Sequence, residues 1–137
     1  MRRKSKNPVE VLRKKCVERA KIIAKERDNY TCRYCGKKRP EVQIHGSHIY
    51  GEGTYRSMSG DPDNIIALCA VHHVGGYWKN NKEPSWHESP MEMVSWFNKK
   101  YPDLRKELLK RSRLHPTTDL QYWQKKWEEL STPAILQ

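Results

Sequence analysis

Apolar residues recur at helical spacing through the first part of the chain. Residues 8–27 carry one at every third or fourth position, which is the repeat expected of one face of an α-helix. Pro8 suits the first turn of this helix, and the pair Asp28-Asn29 is expected to end it. The apolar face would contain Val9, Leu12, Cys16, Ala20, Ile23 and Ala24. The opposite, solvent-facing side would carry Arg13, Lys14, Arg19, Lys21 and Lys25.

The middle of the chain combines short β-like segments with a long loop. Residues 42–49 are β-like in composition, and residues 64–68 form a short apolar run typical of a buried strand. Between them, residues 51–63 are rich in Gly, Ser, Asp and Pro, which indicates a loop. A helix is expected to begin near Cys69 or Ala70.

Three further helices are predicted in the last third of the chain. Residues 90–98 and 102–114 have apolar residues at helical spacing, and Thr118-Asp119 can cap a last amphipathic helix. That helix carries Trp123 and Trp127, an aromatic stripe that indicates packing rather than a ligand site. Helix, β-hairpin-like centre and helices together predict an α+β fold. We divide the chain into three segments, residues 1–28, 29–82 and 83–137.

The charge of the chain is concentrated at one end. Of its 27 Lys and Arg residues, 15 lie in residues 1–40 with only 4 acidic residues, whereas the remainder carries 12 of each. Such a basic segment predicts a polyanionic partner, with a solvated charged tail as the alternative. No apolar run is long enough to span a bilayer, and no apolar segment follows the basic start of the chain. We therefore expect a cytoplasmic protein without a membrane partner.

The spacing of four residues predicts a structural zinc site. Cys32 and Cys35 have a two-residue gap, and Cys69 and His72 have the same gap. Three thiolates and one imidazole can supply the tetrahedral set that zinc prefers. The alternative is two unrelated pairs of small buried residues. Cys16 is expected to be a free, half-buried thiol outside this site.

His73 follows His72 directly, and neighbours on a helix point about 100° apart. One of the two can therefore face the zinc while the other faces a second site. The alternative is that the second histidine is simply exposed to solvent.

Three stretches of the sequence now resemble a known family. Residues 47–49 (Ser-His-Ile), residues 63–69 (Asp-Asn-Ile-Ile-Ala-Leu-Cys) and the pair His72-His73 are similar to HNH nucleases of the ββα-metal superfamily. The cysteine positions, residues 45–49 and residues 61–64 are most similar to the zinc-stapled, NinG-like proteins of phages and prophages. Residues 86–92 and the pair Trp96-Phe97 also resemble such proteins. The resemblance implies a small ββα-metal finger flanked by helices at both ends.

The resemblance implies metal-dependent cleavage of phosphodiester bonds, leaving a 5′-phosphate and a 3′-hydroxyl. By position, His48 is similar to the general base that deprotonates a water molecule. His73 resembles the ligand of a catalytic divalent ion, Mg²⁺ or Mn²⁺, which would stabilise charge on the scissile phosphate. Asn64 resembles the middle residue of the motif, which braces the loop and the base.

The chain departs from the family pattern at two positions. Ser47 stands where many members carry an aspartate that ligates the catalytic ion, and His72 stands where a cysteine is commoner. His87, ahead of His45, is the candidate to replace the missing ligand. His45 and His48 would face opposite sides of a regular strand, unless Gly46 marks a bulge that re-aims one of them.

The basic segment is expected to bind DNA through its phosphates. The predicted contacts are Arg13, Lys14 and Lys21 on the first helix, Lys37, Lys38 and Arg39 beside the cysteine pair, and Arg56 in the loop. Duplex or branched DNA is the expected substrate, and proteins of phage replication, recombination or packaging are possible partners in a bacterial host. A zinc-stapled DNA-binding or adaptor module without catalytic activity is the alternative, and Ser47 is its main support.

Overall fold

The structure is a computed structural model that describes residues 7–75 and 83–132. It confirms the predicted α+β class: within the described residues the chain forms five α-helices and one two-stranded antiparallel sheet. Helix α1 (Pro8–Arg27) begins after Asn7, whose side chain accepts a hydrogen bond from the Val9 backbone N–H. It ends where Asn29 and Tyr30 take left-handed backbone angles, with φ of 54° and 49°. The predicted bounds of this helix are therefore confirmed.

The central unit is a strand, a loop, a second strand and a short helix. Strands β1 (Ile44–His48) and β2 (Ile65–Cys69) pair antiparallel, and helix α2 (Ala70–His73) follows β2 without a linker. All five residues of β2 are buried. The loop predicted over residues 51–63 contains a short 3₁₀ helix at Arg56–Met58 and leads into another at Pro62–Asn64.

The pairing of β1 with β2 contains no bulge. The register runs without interruption from Ile44 opposite Cys69 to His48 opposite Ile65. The suggestion that Gly46 marks a bulge is therefore wrong, and His45 and His48 face opposite sides of the sheet. Gly46 has a different role, because a Cβ at this position would lie 2.9 Å from Cγ of Lys21 and 3.2 Å from Cγ2 of Ile65. The absence of a side chain allows α1 to approach the strand.

Three helices follow in the last third of the chain: α3 (Pro90–Lys100), α4 (Leu104–Ser112) and α5 (Leu120–Ser131). They agree with the predicted segments to within a few residues. Asp119 caps α5 by accepting a hydrogen bond from the Tyr122 backbone N–H at 2.9 Å. Within the described part of the chain, no helix combines the length and apolar character needed to cross a membrane.

The buried apolar residues form two clusters, one on each side of β2. The larger one joins the sheet to α3 and α4 and includes Phe97, Met93 and Leu108. The second joins α1, β2 and α5. In it Trp123 is fully buried, as the packing interpretation predicted, while Trp127 remains 38% exposed. Cys16 is a free thiol, but it is fully buried rather than half-buried, and it lies against the backbone of Trp123.

Asp28 connects three parts of the fold. Its fully buried carboxylate forms ion pairs with Arg27 and Arg33 and accepts a hydrogen bond from the Ala67 backbone N–H at 2.9 Å. Burial raises the pKa of this carboxyl, but the hydrogen bonds from Arg27, Arg33 and Ala67 outweigh burial and lower it. Asp28 thereby holds together three elements: the end of α1, the segment that carries Cys32, and strand β2.

Candidate functional site

Residues 31–38 form a tight turn that presents the first two cysteines. The Cys32 backbone N–H donates to the Lys37 carbonyl at 2.8 Å, and the Gly36 N–H donates to the Cys32 carbonyl at 2.9 Å. Gly36 has a φ of 78°, a conformation that favours glycine. A hydrogen bond of 2.9 Å from the Arg33 N–H to the Ala67 carbonyl docks this turn on β2. Cys69, at the end of β2, therefore comes within reach of both cysteines.

The sulfur atoms of Cys32, Cys35 and Cys69 all lie within 4.8 Å of one another. Those of Cys35 and Cys69 are 3.9 Å apart. Thiolates bound tetrahedrally at about 2.3 Å from a zinc ion would be roughly 3.8 Å apart, so this spacing fits a shared ion. Burial raises the pKa of the Cys69 thiol to about 12, and a hydrogen bond from the His72 backbone N–H to its sulfur opposes this shift. The three cysteines could therefore hold a metal ion.

His72 is buried near this cluster but does not belong to it. Its Nδ1 donates a hydrogen bond to the Pro84 carbonyl at 2.9 Å, and its Nε2 is 4.0 Å from a carboxylate oxygen of Glu83. The ring packs against Tyr34, which lies between the two cysteines of the turn, with ring centroids 4.4 Å apart. Because Nδ1 carries the hydrogen, Nε2 keeps the lone pair that a metal would need. Three of the four predicted zinc ligands are thus brought together, whereas Nε2 of His72 keeps a free lone pair but lies near Glu83 and outside the group of three sulfur atoms.

A row of three imidazoles lies at the start of β1 and the end of α2. The Nδ1 atoms of His45 and His73 are 2.9 Å apart, and the rings of His73 and His87 have centroids 4.7 Å apart. His87 reaches this position because the Trp86 and His87 backbone N–H groups donate to the carbonyls of His72 and His73. Both candidates for the missing metal ligand therefore contact His73. Among the described residues, however, the cysteines form the one group whose ligand atoms all lie within 4.8 Å of one another.

Burial lowers the pKa of two of these imidazoles. The pKa of His73 falls to about 4 because the ring is buried and because His87, His45 and Lys21 oppose a further positive charge. Burial, together with Lys25 and Lys21, also lowers the pKa of His45. Neutral imidazoles keep the lone pair with which histidine binds a metal.

His48 lies on the other face of β1, the face toward α1. Its Nε2 is 2.8 Å from the Ser59 carbonyl oxygen. A carbonyl can only accept, so Nε2 must carry the hydrogen, and Nδ1 retains a lone pair that can take up a proton. Burial lowers the pKa of His48, although the Ser59 carbonyl opposes this shift.

Asn64 fixes the loop that supplies the Ser59 carbonyl. Its side-chain amide donates to the carbonyls of Tyr50 and Met58 at 3.0 and 3.2 Å, and its Oδ1 accepts from the Tyr50 N–H at 2.9 Å. Asn64 is fully buried, so these hydrogen bonds are shielded from water. It therefore acts on His48 through the loop, one residue before Ser59.

Ser47 occupies the position where the family pattern has an aspartate. It is 1% exposed, and within the described part of the chain its hydroxyl oxygen has no hydrogen-bond partner. A neutral, buried hydroxyl is a poor ligand for a divalent ion. Asp61 and Asp63 do not replace it, because both carboxylates pair with Arg111 and Asp61 also accepts from the Asp63 N–H.

The predicted DNA contacts differ in exposure, and the Lys21 side chain is intermediate, at 29% exposed. Lys14, Lys37, Lys38 and Arg39 are exposed, and Arg39 stacks on Tyr30 with its guanidinium carbon 3.8 Å from the ring centre. The solvent-facing assignment of Arg13 is wrong: this residue is 9% exposed and is paired with Glu10 and Glu52, each at 2.9 Å. Arg56 also pairs with Glu10.

Glu10, Glu52 and Asp28 are the charged residues that sequence reasoning missed. The spacing of Glu10 and Arg13, three residues apart on a helix, was a signal for their pairing. Asp28, between Arg27 and the turn that contains Arg33, had no comparable signal, because its partners meet only in the folded chain.

Comparisons with protein-family models, with curated proteins and with solved structures find no match for this chain.

Proposed function

We propose that this protein is a metal-dependent DNA endonuclease or nickase of the HNH type. The arrangement that carries the proposal is the order β1, β2, α2, in which the loop joining the strands holds His48 and the helix carries His73. Exposed lysines lie on α1 and beside the cysteine turn, where Arg39 is exposed as well. This distribution of positive charge supports DNA as the substrate. The proposed fold of this unit is a zinc-stapled ββα-metal finger.

In this proposal the three cysteines hold a structural zinc ion, with Nε2 of His72 as the fourth ligand. The zinc would tie the turn at Cys32 and Cys35 to the end of β2, next to the helix that carries His73. Its task is therefore structural, because it fixes the position of the catalytic residues without taking part in the reaction.

The catalytic ion is proposed to bind His73 with His45 and His87. When bound, it would stabilise the negative charge on the phosphate and on the leaving oxygen. The Nδ1 atoms of His45 and His73, 2.9 Å apart, would both bind the ion once the hydrogen shared between them has moved to an Nε2 atom. Imidazole ligands suit Zn²⁺, Fe²⁺ or Ni²⁺ better than the predicted Mg²⁺ or Mn²⁺, so all of these ions belong in the assay.

The chain itself supplies the base. Nδ1 of His48 would take a proton from a water molecule as the water oxygen attacks phosphorus. The bond from phosphorus to the 3′ oxygen would break, and that oxygen would take a proton from solvent water to leave as the 3′-hydroxyl. Asn64 would hold the loop so that the Ser59 carbonyl keeps His48 in the required tautomer.

A nicking assay on supercoiled plasmid tests the proposal. We expect the wild-type protein to convert plasmid to the open-circular form with a divalent ion, and His48→Ala to lose this activity while keeping its fold and zinc. His115→Ala is the matched control, because His115 contacts Tyr122 away from the site. Equal nicking by the wild type and His48→Ala would overturn the assignment of the base.

A non-catalytic DNA-binding module is the second candidate. Ser47 favours it, because this hydroxyl leaves the catalytic ion without the carboxylate of the family pattern. In that case the wild-type protein would bind DNA without nicking it in the presence of any of the ions tested.

A further inference from the structure

The aliphatic part of the Lys21 side chain packs against strand β1 at Gly46. Cγ and Cβ of Lys21 lie 2.9 and 3.0 Å from where a Cβ of residue 46 would be, so the stem fits only because this residue is glycine. Gly46 is the central residue of β1, between His45 and Ser47, and His48 shares its face. The side chain is therefore fixed beside the candidate site.

Among the described residues, no buried carboxylate forms an ion pair with the ammonium group of Lys21. Its ion-pair partner there is Glu18, at 3.5 Å, and the Glu18 side chain is 72% exposed. The Lys21 side chain itself is only 29% exposed. Such a partly buried ammonium with a solvent-exposed partner can accept an anion from solution at little electrostatic cost.

The same charge acts on three of the four histidines proposed to take part in the reaction. Lys21 opposes protonation of His45, His48 and His73, and the contact of its stem with Gly46 places it on the face of β1 that carries His48. Glu52, which also faces His48, is already paired with Arg13 at 2.9 Å. The titratable groups around the ammonium are therefore these imidazoles and two carboxylates: Glu18, which is mostly exposed, and Glu52, which is paired with Arg13.

We propose that Lys21 is a catalytic residue that binds the scissile phosphate, in addition to the DNA contact expected from the sequence. This inference rests on the proposed function. The ammonium donates a hydrogen bond to a non-bridging oxygen of the phosphate that is attacked by the water molecule from which His48 takes a proton. Negative charge on this oxygen grows as the water oxygen bonds to phosphorus, so the contact strengthens in the transition state.

This catalytic role differs from that of a lysine that only strengthens binding of the duplex. A lysine that contacts a distant phosphate contributes equally to the bound substrate and to the transition state, so its removal weakens binding alone. A lysine on the reacting phosphate lowers the rate of the bound complex when it is removed. Lys14 is the matched control, because it lies two helical turns before Lys21 on α1 and is exposed.

The test uses single-turnover nicking of supercoiled plasmid by the zinc-loaded protein. The rate at saturating enzyme and the enzyme concentration giving half that rate are measured for the wild type, Lys21→Gln, Lys21→Arg and Lys14→Gln. We expect Lys21→Gln to lower the saturated rate by roughly 10²-fold, the effect of removing one charge-stabilising donor, with Lys21→Arg restoring part of it. Lys14→Gln should shift only the half-saturating concentration. Zinc content and circular dichroism verify the fold of each variant.

A Lys21→Gln variant that changes only the half-saturating concentration, or that behaves like Lys14→Gln, would overturn the role of Lys21 while the nuclease assignment stands. Wild-type protein that does not nick with any ion would instead remove the proposed function, and the role of Lys21 with it.

Discussion

The imidazole of His48 donates from Nε2 to the backbone carbonyl of Ser59 over 2.8 Å. This hydrogen bond links the end of β1 to the end of a 3₁₀ helix eleven residues later. It fixes which nitrogen carries the hydrogen, so Nδ1 is the atom available as a base. The environment of this ring leads to a prediction about pH.

The nicking rate should remain high at pH 6.5 and fall only in more acidic solution. His48 acts as a base only when neutral, and burial lowers its pKa below the ordinary value of 6.5. Lys21 and Arg13 act in the same direction, while the Ser59 carbonyl and Glu52 oppose it. The single-turnover rate is measured against pH with the metal saturating at each point. A rate already falling at pH values above 6.5 would contradict the prediction.

Replacing Asn64 by alanine should destabilise the protein and reduce nicking together. The change removes a side chain that makes three hydrogen bonds and leaves the Tyr50 N–H and two loop carbonyls without this partner. We expect the free energy of unfolding to fall by about 1–3 kcal/mol, measured by denaturant titration. Asn98→Ala is the control, because Asn98 is exposed on α3. Unchanged stability of Asn64→Ala would show that the loop is held by other contacts.

Purified protein should contain close to one zinc ion per chain. Cys32→Ser should lose this zinc and unfold at a lower temperature, because the turn would no longer be tied to β2 by metal. Cys16→Ala should keep it, since Cys16 is buried against Trp123 in the other cluster. Elemental analysis and thermal denaturation with and without a chelator measure both effects. Protein that is free of zinc and indifferent to the chelator would contradict the site.

The fourth zinc ligand can be identified in the same preparation. Cobalt replaces zinc in tetrahedral sites, and its visible absorption depends on the ligands. We expect His72→Ala to change this spectrum, whereas His115→Ala should leave it as in the wild type. Identical spectra for the wild type and His72→Ala would limit the protein ligands to the three cysteines.

Asp28→Asn should lower stability at neutral pH and have little effect in strong acid. The variant keeps a side-chain oxygen for the Ala67 N–H but loses the negative charge between Arg27 and Arg33. We expect a loss of about 1–3 kcal/mol, since hydrogen bonds to a charged group are broken. Because the pKa of Asp28 is lowered on folding, its contribution is complete above the ordinary value of 3.8 and disappears as pH falls through the lowered value.

Denaturant titrations of the wild type and Asp28→Asn over this pH range measure the difference directly. Asp103→Asn is the control, because the Asp103 side chain is 81% exposed. A difference between wild type and Asp28→Asn that grows as the solution becomes more acidic would contradict the sign.

Local patterns predicted the elements of the fold well. The apolar repeat and the pair Asp28-Asn29 gave the bounds of α1, and the cap at Asp119 gave the start of α5. Both depend on residues close in sequence, where backbone hydrogen bonds and caps decide the outcome. The spacing of Cys32, Cys35 and Cys69 was similarly informative, because a ligand set restricts how the chain can fold around it.

Contacts between distant elements could not be predicted in the same way. Arg13 was assigned to the polar side of α1 from its charge, but Glu52 lies 39 residues away and provides a partner that allows burial. Gly46 suggested a bulge, whereas its small size serves the approach of Lys21 from another element. In both cases the deciding contact comes from another element, which only the folded chain brings close.

The second apolar cluster combines residues from α1, which is synthesised first, with residues from α5, which is synthesised last among the described helices. Cys16 and Trp123 are in contact across 107 positions, while the three cysteines of the proposed zinc site have all been synthesised by residue 69. During translation, the metal site can therefore assemble before α5, which covers the apolar face of α1, has been synthesised. A ribosome that stalls before α5 would leave a nascent chain whose sheet and metal site are complete and whose first helix remains exposed to chaperones.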